Sequence, residues 1–195
     1  MVQKIENARE RFGRAAIEVF RDRGYAETTV ADIAAAAGLT ERTFFRYFID
    51  KPEVLFWRAD ELEAEIIGAV REAEDARPLE VVVSALETAG NFFDANRADV
   101  IARQAIVAAN AEFHERELMK MRSLAAAIAT TLEERAIPTH LAVMAAEVGV
   151  LIWRIAIDRW CSDGSSADFG THVRASLKDL VAVAIDQTCD LPSEK

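Results

Sequence analysis

Helix breakers are scarce in this sequence: its 195 residues include 4 prolines and 8 glycines. Together with abundant alanine, that scarcity leaves little to interrupt a helix and predicts an all-α protein of about nine helices. Cysteine is nearly absent. Cys161 and Cys189 have no metal-ligand spacing and are expected to be free thiols in a reducing compartment. No apolar run reaches membrane-spanning length without a charge, and the opening residues, MVQKIENARERF, are polar. Neither a signal peptide nor an anchor is expected, so the chain is expected in the cytoplasm with no membrane partner.

Catalytic signatures are missing too. No two glycines fall in a G-x-G pattern, so there is no glycine-rich phosphate loop. His114-Glu115 begins like a zinc-protease motif, but Leu118 stands where the second histidine is required. There is no G-x-S-x-G and no paired cysteine. No catalytic residue, metal or cofactor is assigned, and the chain is not read as an enzyme.

Positive charge is also short, at 23 Lys and Arg against 33 Asp and Glu, for a net charge of −10. The shortage is uneven. Residues 1–51 hold 9 basic against 8 acidic side chains, a net +1, which leaves −11 for residues 52–195. The acidic part is therefore kept off phosphates, while the first part is free to approach them.

What is present is the stretch Thr28 to Lys51, TTVADIAAAAGLTERTFFRYFIDK. Thr29 with Asp32 has capping-box spacing, and Val30, Ile33, Ala34 and Ala37 then share one face of a short helix. Gly38 supplies a left-handed turn, Thr40 caps a second helix, and Leu39 can act as its staple. Phe44 and Phe48, at i and i+4, face inward in that second helix, expected over Glu41 to Phe48. The outward arc is then Glu41, Arg42, Thr43, Phe45, Arg46 and Tyr47, the outline of a helix-turn-helix with a reading helix. Arg42 and Arg46 have the chemistry to pair with guanine O6 and N7 or to grip phosphate, and Thr43 to touch a thymine methyl. Glu41 can accept from cytosine N4, but more simply it favours the helix N-terminus. Thr29, at a helix start, can donate to a phosphate.

From about Ala8 to Leu62 the chain resembles the N-terminal domain of a TetR-family transcriptional regulator, through RDRGYAETTV and DIAAAAGLTERTFFRYFIDKPEVLF. The resemblance implies a homodimeric repressor on a palindromic double-stranded DNA operator, released when a small-molecule effector enters the poorly matching remainder. It also implies that Tyr47 and Lys51 contact backbone phosphates. Phe45 departs from the family, where Tyr is common, and is left to pack on a sugar or a methyl. A protein–protein adaptor that keeps the fold without reading DNA is the rival reading, and a small helical enzyme comes third.

Elsewhere, Ile5, Ala8, Phe12, Ala15, Ala16, Val19 and Phe20 give a first helix ending at Gly24, with Tyr25 packing back. A helix starting at Pro52 is expected to run to about Ala76, linking reader to sensor by analogy with the family. The division is then a helix-turn-helix domain over 1–51 and a regulatory and dimerisation domain over 52–195. After Pro78 five helices are expected: 79–95, 97–109, 112–135, 139–160 and 168–188. An effector pocket is placed among Phe92, Phe93, Arg103, Ile106, Phe113, Met121, Leu124, Ile128 and Trp153, with Gln104, Asn110 and His114 as further polar candidates. The last two helices are the dimer candidates, through Ala142, Ala146, Gly149, Trp153, Leu177, Leu180, Val181 and Ala184. Glu147, Arg154 and Asp158 share a face and are expected to form a salt-bridge set.

Overall fold

A computed structural model of the chain describes residues 2–74 and 77–188, and the side chains from 8 onward as far as 185. Ala76, Cys189 and the side chain of Ile5 lie outside the described residues. Within them the chain is helical and has no strand. The elements are α1 (Val2–Arg23), α2 (Val30–Ala36), α3 (Glu41–Phe44), a 3-10 helix (Pro52–Phe56), α4 (Ala59–Glu72), α5 (Pro78–Ala95), α6 (Arg97–Ala109), α7 (Ala111–Glu134), α8 (Thr139–Ser162) and α9 (Phe169–Thr188). They fall into two compact units, one of Met1–Leu62 with Asn96–Lys120, the other of Glu63–Ala95 with Met121–Lys195.

The first unit is organised around Phe12. Its ring meets Phe44 edge-on at 5.3 Å and Phe48 at 6.1 Å, and all three are buried. Ile33 and Ala34 of α2 close the same core, as their spacing predicts. On α1 the buried residue is Ile17, while Val19 is only half-buried. The buried stripe is wider than the predicted one because α1 packs on α6 as well as on α2. Ile106, Val107 and Phe113 join the core from α6 and α7.

The helix expected to run unbroken from Pro52 is divided. Val54, Leu55, Phe56 and Trp57 are all buried, and four successive side chains point all round a helix, so this segment is covered on every side. Arg103 Nε also takes the Leu55 carbonyl at 3.1 Å, the acceptor that an α-helix would present to residue 59. Regular α-helix resumes at Ala59 and ends at Glu72.

In the second unit α5, α8 and α9 pack on one another. Phe93 stacks on Phe169 with centroids 4.7 Å apart and meets Trp153 edge-on at 5.0 Å. By length and composition α8 is the one described helix that could cross a membrane, yet half of its apolar window is buried inside the protein. Its apolarity on several sides follows from packing on both α5 and α9.

Candidate nucleic-acid interface

The two short helices α2 and α3 are held by chemistry that the sequence announces. Thr29 and Asp32 form the capping box, with Asp32 N donating to Thr29 Oγ1 at 3.2 Å and Thr29 N donating to Asp32 Oδ2 at 2.9 Å. The Thr29 hydroxyl donates to the same carboxylate, so its proton is engaged within the cap rather than presented to a phosphate. These hydrogen bonds, side-chain first, hold Asp32 below the ordinary carboxylate range, helped by Arg23, whose Nη1 lies 3.1 Å from Oδ1. A depressed carboxylate stabilises the fold above its unfolded-state pKa, and loses that contribution as pH falls through the folded-state value. Asp32→Asn is therefore expected to lower stability at neutral pH and to flatten the acid limb of a pH–stability curve.

At the other end of α2, Arg11 Nη2 donates to the carbonyls of Ala37 and Gly38. Gly38, at φ 63°, turns the chain toward α3 in the left-handed region. Thr40 caps α3, accepting from Thr43 N at 3.2 Å, with the Thr40 and Thr43 hydroxyls 2.9 Å apart. Regular α-helix covers four residues. The next bonds, Arg46 N to Thr43 O and Tyr47 N to Phe44 O, are of the tighter 3-10 kind, and Phe48 N returns to Phe44 O. The reading helix is thus shorter as α-helix than the predicted 41–48, although the coil continues to Phe48. Phe44 and Phe48 both still reach Phe12.

The predicted outward arc faces solvent. Glu41, Arg42, Phe45 and Arg46 are exposed, and Thr43 and Tyr47 are half-buried. Phe45 stands 56% exposed, a bare aromatic ring on a polar face. Between residues 8 and 58 the cations other than Arg42 and Arg46 are engaged. Arg9 pairs with Asp60, Arg14 with Glu10, Arg21 with Asp22 and Arg23 with Asp32. Arg11 holds the end of α2, and Arg58 pairs with Glu61. Arg42 and Arg46 have no hydrogen-bond or ion-pair partner among the described residues.

Lys51 is not presented outward. Its ammonium donates to the carbonyls of Tyr25 and Thr28 at 2.8 and 2.9 Å and sits 3.9 Å above the Tyr25 ring. Here it clamps the loop before α2, a role that no local pattern predicts. Lys51→Met should cost about 1–3 kcal/mol, as two carbonyls lose a charged donor. Urea titration would read that loss, while the salt dependence of DNA binding should hardly change.

The residues predicted to line an effector pocket are divided between the units. Arg103, Ile106 and Phe113 belong to the first, where Arg103 Nη1 pairs with Glu117 at 2.9 Å and Phe113 is a core ring 4.6 Å from Tyr25. Asn110 donates to the Ile106 carbonyl, and Gln104 accepts from Arg103. Phe92, Phe93, Met121, Leu124, Ile128 and Trp153 belong to the second, where Phe93, Leu124, Ile128 and Trp153 are buried. An open cleft of about 440 Å³ in the second unit is lined by Glu74, Pro78, Arg135, Ala136, Ile137, Pro138 and Leu141, none of them predicted as lining.

On α8 the predicted small-residue stripe is already covered within the chain. Ala142, Ala146, Gly149 and Trp153 are buried, and a Cβ on Gly149 would come within 2.3 Å of Val82 Cγ1 on α5. The face left open carries Val143, Met144, Glu147, Leu151, Arg154 and Asp158, with Met144 63% and Leu151 37% exposed. Glu147, Arg154 and Asp158 do not form the expected salt-bridge set, since no ion pair joins them. Two turns separate the first two, and Arg preceding Asp is the weaker i,i+4 order. On α9, Val181 and Ala184 are exposed, and Leu177 and Leu180 are half-buried.

Residues 14–56 match the family described as bacterial regulatory proteins, tetR family. Over 68 residues the chain is 35% identical to the HTH-type transcriptional regulator TcmR of Streptomyces glaucescens, a match covering 35% of this chain and 30% of that relative. Matched over that segment alone, the chain spans under a third of the curated relative's length. The solved structure of Thermus thermophilus FadR, a TetR-family repressor in complex with lauroyl-CoA, is similar at 24% identity. It covers 89% of this chain and 93% of its own, with a TM-score of 0.55. A protein from Syntrophomonas wolfei described as a TetR-family regulator covers 91% of this chain and 95% of its own, at 16% identity and TM-score 0.65. Likenesses at these identities establish a shared fold.

Proposed function

We propose that this chain, whose residues 14–56 match the family of bacterial regulatory proteins, tetR family, is a DNA-binding transcriptional regulator of that family. It acts as a homodimeric repressor in the cytoplasm, laying the coil Glu41 to Phe48 in the major groove of each half of a palindromic operator. Residues 1–51 read DNA, and residues 52–195 sense an effector and pair the chains. The observation that carries this reading is the pair of unpartnered guanidiniums, Arg42 and Arg46, on a face whose opposite side is fixed by Phe44 and Phe48. Cations left free beside engaged neighbours need an anionic partner, and a phosphate or a guanine edge supplies one. An adaptor for an acidic protein surface would use the same cations, and the family match over residues 14–56 favours DNA.

The half-buried Tyr47 hydroxyl, with no partner among the described residues, is the phosphate donor, and Thr43 lets the helix sit deep. Pairing uses the open faces of α8 and α9. A two-fold axis near Leu151 brings Glu147 of one chain to Arg154 of the other, a self-complementary arrangement that satisfies charges left unpaired in the protomer. A small molecule entering the second unit releases the DNA by favouring a spacing of the two heads that no longer fits adjacent grooves. Lauroyl-CoA, the ligand in the Thermus thermophilus FadR complex, is the first compound to test as effector.

Selection of bound sites from random duplexes tests the reading directly, and recovery of an inverted repeat is the expected result. Enrichment of no sequence would overturn it. On the selected site, log K should fall linearly with log salt, with a slope of about −0.9 per phosphate neutralised. A slope near zero would contradict the phosphate contacts.

A further inference from the structure

The residues just beyond the reading coil are gripped from the back by the first ten residues of α7. Arg116 Nη2 donates to Asp50 Oδ2 at 2.7 Å, and its Nη1 donates to Glu53 Oε2 at 2.8 Å. Lys120 donates to Glu53 Oε1 at 2.9 Å. Asp50 in turn accepts from Glu53 N at 3.0 Å, starting the 3-10 helix. One turn earlier on α7, Phe113 packs on the Tyr25 ring. Burial, and after it the nearby Glu112 carboxylate, push the Tyr25 phenol well above its usual range. Burial opposes the charge of Arg116, but the bonds to Glu53 and Asp50 outweigh it and raise the guanidinium.

Asp50 lies two residues after Phe48, so this grip acts on the coil that carries Arg42 and Arg46. The capping box and Arg11 fix α2, and Phe44 and Phe48 fix the depth of the reading coil. Beyond that anchor the chain is held by a planar guanidinium that bridges two carboxylates at fixed angles.

We propose that Arg116 is a positioning residue for DNA reading, holding Asp50 and Glu53 so that Arg42 and Arg46 are offered in one pose. This rests on the function proposed above, and its test separates the two. In Arg116→Met, amide exchange over residues 40–56 should quicken at least tenfold relative to wild type, while α1 and α6 keep their protection. Affinity for the selected operator should fall at least tenfold at a temperature where the protein stays folded. Arg116→Lys should recover only part of either, because an ammonium cannot bridge both carboxylates in plane. Unchanged exchange over 40–56, or equally faster exchange throughout the first unit, would overturn the proposal. The exchange result stands whether or not the wild type binds DNA, so a failure of DNA binding bears on the proposed function alone. If Arg116→Met does not fold, Glu53→Gln leaves the Asp50 bond in place, and the same local exchange decides the matter.

Discussion

Arg46→Ala is expected to weaken operator binding about 5- to 150-fold, the equivalent of ~1–3 kcal/mol for a side chain that reads a base edge. The structure sharpens this expectation because Arg46 has no protein partner among the described residues, so its removal leaves no orphaned carboxylate and should not disturb the fold. A gel-shift titration against the selected operator and against scrambled duplex tells the two roles of the residue apart. A base contact loses affinity for the operator and relaxes the preference at one base pair. A phosphate contact loses affinity for both duplexes equally and lowers the salt slope by about 1. Arg42→Ala, measured in parallel, partitions the work between the two guanidiniums. The double variant should approach the binding of an arbitrary duplex. Wild-type affinity in both single variants would remove the observation on which the functional reading stands.

Gly149→Leu is expected to damage the protomer rather than separate two chains. Val82 Cγ1 already stands 2.3 Å from where a Cβ would be, so a leucine there must displace α5 or α8. Overpacking of this kind costs about 1–3 kcal/mol or more. In a chain of this length that corresponds to a melting point lower by roughly 2–12 °C. The pairing surface is tested elsewhere. Arg154→Glu places like charges opposite one another across the proposed two-fold axis and should shift the protein toward monomer in sedimentation. Adding Glu147→Arg to that variant restores opposite charges and should restore the dimer. A melting point unchanged in Gly149→Leu would mean that the α5–α8 contact is looser than the distances state. A dimer indifferent to both charge changes would mean that the open face of α8 is not where the chains meet.

Much of the fold is legible because local chemistry and tertiary packing agree. Thr29, Asp32, Gly38 and Thr40 carry cap and turn signals that act over three or four residues, and each performs that role in the structure. The helices after Pro78 begin and end within two residues of their expected bounds, although Asn96 and Pro138 make no side-chain cap bond. Phe44 and Phe48 are inward because i,i+4 spacing leaves no other face free. Lys51 is the counterexample. Its resemblance to a phosphate-contacting position is sound as a pattern, yet the ammonium turns to the Tyr25 and Thr28 carbonyls. A cation's partner depends on which acceptors come within about 3 Å, and those lie 26 and 23 residues earlier in the chain.

By itself the sequence determines the helical class, the helix-turn-helix, and the outward placement of Glu41, Arg42, Phe45 and Arg46, because each follows from periodicity and capping within one or two turns. Tertiary structure alone decides three further things. It breaks the helix after Pro52, covers the small-residue stripe of α8 with α5, and adds the start of α7 to the unit that carries the reading helix, through Arg116, Asp50 and Glu53. All three depend on side chains at least 48 residues apart in the chain meeting at contact distance, and no window of sequence short enough to show a period reports that.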